Sequence, residues 1–150
     1  MYKIMLALHL LAVVFAVGPL VGAASSAVRG LRSGDADATA TSARLVKIYS
    51  YASVVAVIFG FGLMSATDPD HPGHKVADMG DVWILISIVL WLFALAEGLF
   101  GLVPALEQAA AALREGKPAD ALRGKVAALG GSIALNYAII VFLMVYQPGS

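Results

Sequence analysis

Two charge-bearing side chains, His9 and Glu97, interrupt otherwise apolar stretches of this chain. Such groups are costly in an apolar setting, so each marks either a site or a structural pair. An imidazole can ligate a metal or accept a proton, and a carboxylate can relay protons or tether one helix to another. With a rise of about 1.5 Å per residue, His9 falls roughly 8 to 10 Å into its run and Glu97 roughly 24 Å into its own. They are therefore expected at opposite depths. Asn136 and Tyr137 come within about one helical turn of the depth of His9, with Trp83 and Ser87 on the same side, so a cofactor-binding cluster of His9, Asn136 and Tyr137 is expected. Glu97 shares its depth with Ser50, Tyr51 and Ser53, and Lys47 can snorkel toward it. A structural contact of Glu97 with Lys47 or with one of these hydroxyls, Tyr51 among them, is expected in preference to a proton relay.

A second group of donors lies in the segment Thr67-Asp68-Pro69-Asp70-His71-Pro72-Gly73-His74-Lys75, followed by Asp78 and Asp81. The spacing of His71 and His74 suits a divalent cation, although Pro, Gly and Asp also make plain turns.

The elements that must position these groups are legible from hydropathy. Apolar residues make up 60% of the 150 residues and charged residues 13%, a balance that points to lipid as the solvent. Four apolar runs, about 4–28, 48–66, 82–106 and 126–146, each approach the roughly 20 residues that cross a hydrocarbon core. Backbone groups find no partners in lipid, so each run is expected to be helical. The expected architecture is all-α, a four-transmembrane-helix bundle forming a single integral membrane domain over 1–150.

Orientation follows from the basic residues, which short loops retain on the cytoplasmic side. Arg29, Arg32, Arg44 and Lys47 flank the first connection and Arg114, Lys117, Arg123 and Lys125 the third, whereas Lys3 and Lys75 alone lie opposite. N-terminus and C-terminus are both expected to be non-cytoplasmic, in a multi-pass protein of the cell (inner) membrane. Lys3, the apolar stretch and the small residues around Gly22 suggest a signal peptide, but the stretch is long for one and a retained helix is expected. The same sorting gathers Met1, Met5, Met64, Met79 and Met144 with all three histidines at the outer face. Thioether with imidazole suits Cu(I), and a His and Met pair can hold haem iron. The metal-ligand set so defined is His9, His71, His74, Met5 and Met64; ordinary packing is the plainer account of the methionines.

Small residues offer faces for helix packing in lipid: Gly18 and Gly22 in the first run, Gly60 and Gly62 in the second, Gly98 and Gly101 in the third, Gly130 and Gly131 in the fourth. Pro19 and Pro104 are expected to bend or end their helices. The Ala-rich stretch from Glu107 to Arg114 is expected to carry the third helix beyond Pro104, and Thr39 to Ser42 to lead into the second. Leu31-Arg32-Ser33-Gly34 echoes Leu113-Arg114-Glu115-Gly116, a faint sign of two related hairpins. An ordinary helix ending accounts for it equally.

No nucleotide loop, G-x-S-x-G, H-E-x-x-H or cysteine is present, and no basic patch interleaves with aromatics, so known catalytic templates and nucleic acid are set aside. Leu8-His9-Leu10-Leu11-Ala12-Val13-Val14-Phe15-Ala16-Val17-Gly18 resembles the opening helix of several small bacterial membrane families. These are the copper-resistance D-type proteins, the small membrane protoporphyrinogen oxidases and the predicted integral membrane proteins called domain of unknown function 2269. The last is also similar in its four spans and in a third helix ending like Leu102-Val103-Pro104-Ala105. The first resemblance implies copper handling; the second implies haem b held by a His that maps to His9. The oxidases carry an intramembrane Lys in a later helix, where this chain has Glu97. The expectation is a non-enzymatic bundle that binds haem or copper near its outer face through His9. The alternative is a structural or accessory membrane subunit, or a homo-oligomer, without a cofactor. Transport is less favoured because few intramembrane polar groups could line a pathway.

Overall fold

A chain in lipid must pair its backbone groups within each segment, and this one does so with long helices. The structure, a computed structural model, describes residues 1–149. Helix one runs Tyr2–Ser33, helix two Ala36–Met64, helix three Val82–Arg114, and helix four, opened by one 3₁₀ turn, Asp120–Tyr146. All four are long and apolar enough to cross a membrane. Among the described residues the sole β pairing is an isolated bridge from Thr67 to Lys75 in the connection between helices two and three.

Helices one and three overrun their apolar runs and close in the same way. Gly34 and Gly116 adopt φ of 68° and 71°, the left-handed conformation that glycine takes without a Cβ penalty. The amide after each glycine then reaches back five residues, Asp35 to the Gly30 carbonyl at 3.0 Å and Lys117 to the Ala112 carbonyl at 2.9 Å. Asp35 next caps helix two, its Oδ1 accepting from the amides of Asp37 at 3.0 Å and Ala38 at 2.9 Å.

Neither proline ends its helix. A wide turn precedes each, Val13–Val17 before Gly18-Pro19 and Glu97–Leu102 before Val103-Pro104. The amide just ahead of each proline bonds a carbonyl five residues back, Gly18 to Val13 and Val103 to Gly98. Proline lacks an N–H and its ring collides with the carbonyl four residues earlier. The wider turn removes that register, and the helix resumes with proline in its first turn, where no donor is needed.

The wide turns divide the bundle into two halves of different tightness. In the half nearest the basic connections, helix one packs on helices two and four, and helix three packs on helix two. The core there is built from Ala and Leu, with Ala27, Leu102, Leu106 and Ala109 fully buried. The packing is close: a Cβ on Gly130 would collide with the Ala24 carbonyl, and one on Gly98 would lie 2.8 Å from Ser50 Oγ. In the half nearest the termini, helix one packs chiefly on helix two and helix three on helix four, so the two hairpins part. Gly60 and Gly62 meet His9 and Met5 of helix one, but Gly18, Gly22 and Gly131 have no neighbour within 4 Å. The small residues that seat helix one on its partners are Ala23, Ala24 and Ala27, with Gly30 against Thr39 of helix two.

Candidate functional site

Where the hairpins part they enclose a cavity of about 460 Å³ lined by all four helices. Its walls are mainly apolar, and its polar members are His9, Ser53, Ser87, Trp83, Trp91 and Tyr137 with Tyr2 and Gln147 near the rim. The floor is fixed by a bond between the hairpins, Trp91 Nε1 donating to Ser53 Oγ at 3.0 Å, while Ser53 donates to the Ser50 carbonyl at 2.7 Å. Leu10 and Val141 line the cavity, yet each is 52% exposed. The cavity therefore opens sideways between helices one and four onto the apolar surface.

His9 stands on the wall with a defined orientation. Its Nδ1 lies 2.8 Å from the Ala56 carbonyl oxygen. A carbonyl only accepts, so Nδ1 carries the proton and, in the neutral ring, the lone pair resides on Nε2. Gly60 makes room for this packing, since a Cβ there would lie 3.2 Å from His9 Cε1. Two further polar groups of the lining are buried and incompletely bonded. The indole N–H of Trp83 has no partner among the described residues, and the Tyr137 hydroxyl faces Ser53 without a well-formed hydrogen bond.

Not every expected member joins this cluster. Tyr137 does, as does Met64, together with Met144. Asn136 is turned away and donates from Nδ2 to Glu97 Oε2 at 3.1 Å. Successive helical residues are rotated by about 100°, which is why Tyr137 meets the cavity while its neighbour meets helix three. The same rotation corrects the expected partners of Glu97. Gly98 abuts Ser50 of helix two, so Glu97, one residue earlier, faces helix four. Lys47 lies at the groove between helices two and three, beside Glu107 and Arg114, and Tyr51 is 58% exposed on the apolar surface. The tether of Glu97 is thus an amide from helix four and neither Lys47 nor Tyr51.

The expected metal set also divides. Met5 packs its sulfur against Gly62 and is not part of the cavity lining. His71 and His74 are exposed in the connection, where His71 Nδ1 lies 3.1 Å from Asp68 Oδ2. That loop is a local turn, held by Asp68 N–H to the His74 carbonyl at 2.8 Å and Val76 N–H to the Ala66 carbonyl at 3.0 Å. The Asp70 amide, and after it His71, hold the Asp68 carboxyl below its ordinary value of 3.8. Among the described residues no three His, Asp or Glu side chains converge to hold an ion. Trp91 went unremarked in the sequence, though Trp83, Ser87 and Trp91 recur at intervals of four and so share one helical face.

The helices and this laterally open apolar cavity define a multi-pass integral membrane protein with a lipid-facing exterior. More narrowly, the chain belongs to the family described as predicted integral membrane protein, DUF2269, which matches residues 3–148. No curated protein and no solved structure matches it.

Proposed function

We propose that this membrane protein binds haem b in the cavity between its hairpins, with His9 Nε2 as the iron ligand. The observation that carries the reading is the bond from His9 Nδ1 to the Ala56 carbonyl. Metal-ligating histidines are commonly held in this way, one nitrogen fixed on a carbonyl and the other left basic. The donor set fits a flat apolar molecule better than a bare copper ion. One imidazole and the thioethers of Met64 and Met144 share a cavity of cofactor size, and apolar walls with few polar groups are the usual composition of such sites. No Arg or Lys lines the cavity, so the carboxylates of the porphyrin would be met by water at the rim. Bound haem supplies one-electron or gas-binding chemistry at its iron. This chain's own part is to hold His9, to exclude water with its apolar walls and to offer Trp83 and Tyr137 as donors. The basic residues support a placement of this cavity in the outer leaflet.

The test is spectroscopic. Full-length protein from haem-replete cells, or reconstituted with haemin, is expected to show a Soret band that shifts on reduction. His9→Ala should lose it, while His71→Ala and His74→Ala keep it. A colourless protein after reconstitution, or a His9→Ala variant with an unchanged spectrum, overturns the assignment. A second reading, a partner-binding subunit or homodimer, is favoured by the open Gly18 and Gly22 face on helix one. Cross-linking through that face in mild detergent tests it, and a strictly monomeric species removes it.

A further inference from the structure

At the opposite end of the bundle a groove of about 360 Å³ lies between helices two and three, and its lining includes Arg44, Lys47, Arg114 and Glu107. Its position follows from helical spacing. Ala40, Ala43, Arg44 and Lys47 recur on one face of helix two, and Glu107, Ala110 and Arg114 on one face of helix three. The alanines at 40, 43 and 110 supply no bulk, which hollows the groove and leaves its charges around the edge.

These charges do not neutralise one another. Among the described residues Arg44 and Lys47 have no carboxylate within ion-pair distance, and neither does Glu107 have a cation there. Arg114 reaches Asp37 at 3.3 Å on the exposed rim. Three cations therefore converge with one carboxylate on a groove that protein anions leave largely unsatisfied. Lys47 also marks the start of the lipid-facing surface of helix two. Beyond it Ile48 is 52% exposed and Tyr51 58% exposed, an apolar and aromatic pair of the kind that sits at the headgroup boundary.

We propose that this groove binds a phosphodiester anion, that of a membrane phospholipid headgroup, with the acyl chains descending past Ile48 and Tyr51. Arg44 and Arg114 donate to the phosphate oxygens and Lys47 adds a point charge. Glu107 accepts hydrogen bonds from the hydroxyl or ammonium groups beyond the phosphate. Basic pockets between helices near the end of a span are suited to such headgroups. Inorganic phosphate shares the chemistry but lacks the chains, which separates the two sources.

The experiment uses full-length protein in mild detergent, with native mass spectrometry of lipid adducts and thermal unfolding as readouts. Phosphatidylglycerol is added to the wild type, to Arg44→Gln with Lys47→Gln, and to a control, Lys117→Gln with Lys125→Gln, that removes equal charge outside the groove. Retained lipid is expected to fall at least tenfold in the groove variant and to stay within about twofold in the control, an effect of the size expected for removing charge-assisted contacts. The unfolding midpoint without lipid checks that all three chains are folded. Equal losses in both variants would mean general charge attraction and overturn the proposal. Stabilisation by millimolar inorganic phosphate equal to that by lipid would reassign the groove to a soluble anion and likewise overturn it.

Discussion

About 100° of rotation separates Asn136 from Tyr137, and it sends one to Glu97 and the other to the cavity. Removing the Asn136 amide by Asn136→Ala should cost about 1 kcal/mol, the scale of interhelical hydrogen bonds in membranes, while Glu97→Gln retains an acceptor and should cost less than half of that. Thermal or denaturant unfolding in detergent checks both. In the loop, Asp68 has its carboxyl lowered by the Asp70 amide and by His71. A lowered value means that the bonds it makes are complete above the ordinary 3.8 and are lost as pH falls through the lowered value. The protection of the Asp70 amide, the slowing of its exchange relative to the intrinsic rate at the same pH, should therefore fall only below that ordinary value, and Asp68→Asn should abolish the pH step in protection. Protection that is lost between neutral pH and 5 would contradict this account. At this scale the sequence marked His9, Glu97 and Tyr137 by their apolar neighbours. It did not reveal the partners, because depth along a helix is readable from spacing whereas the direction a side chain faces depends on how neighbouring helices are rotated.

Among the helices, the closest approaches decide what can be changed. Gly130 faces the Ala24 carbonyl, whereas nothing lies within 4 Å of a Cβ on Gly131. Gly130→Ala should destabilise the bundle by about 2 kcal/mol through overpacking, and Gly131→Ala should be neutral or stabilising by up to about 1 kcal/mol. Equal unfolding midpoints for the two variants would contradict the packing described. Spans were legible at this scale because hydropathy alone requires them, and the continuation from Glu107 to Arg114 was legible from its alanines. The means by which helices one and three pass Pro19 and Pro104, a wide turn ahead of each, was not. Proline by itself signals a break, and the wide turn that accommodates it carries no residue signature that distinguishes Val13–Val17 from ordinary helix.

For the molecule as a whole, the basic residues at one end make a directional prediction. The chain has no cysteine, so single substitutions give clean labels. In intact cells a membrane-impermeant thiol reagent should label His74→Cys and spare Ser33→Cys, and the reverse pattern would invert the orientation. Span number and helical class were readable from composition and from where the charges fall. The cavity was not, since it arises from the parting of two hairpins that share no sequence pattern for doing so. Its mouth between Leu10 and Val141 faces the acyl layer. On the proposed reading the guest arrives by lateral diffusion in oil, and its supply is set by partitioning into the bilayer rather than by its solubility in water.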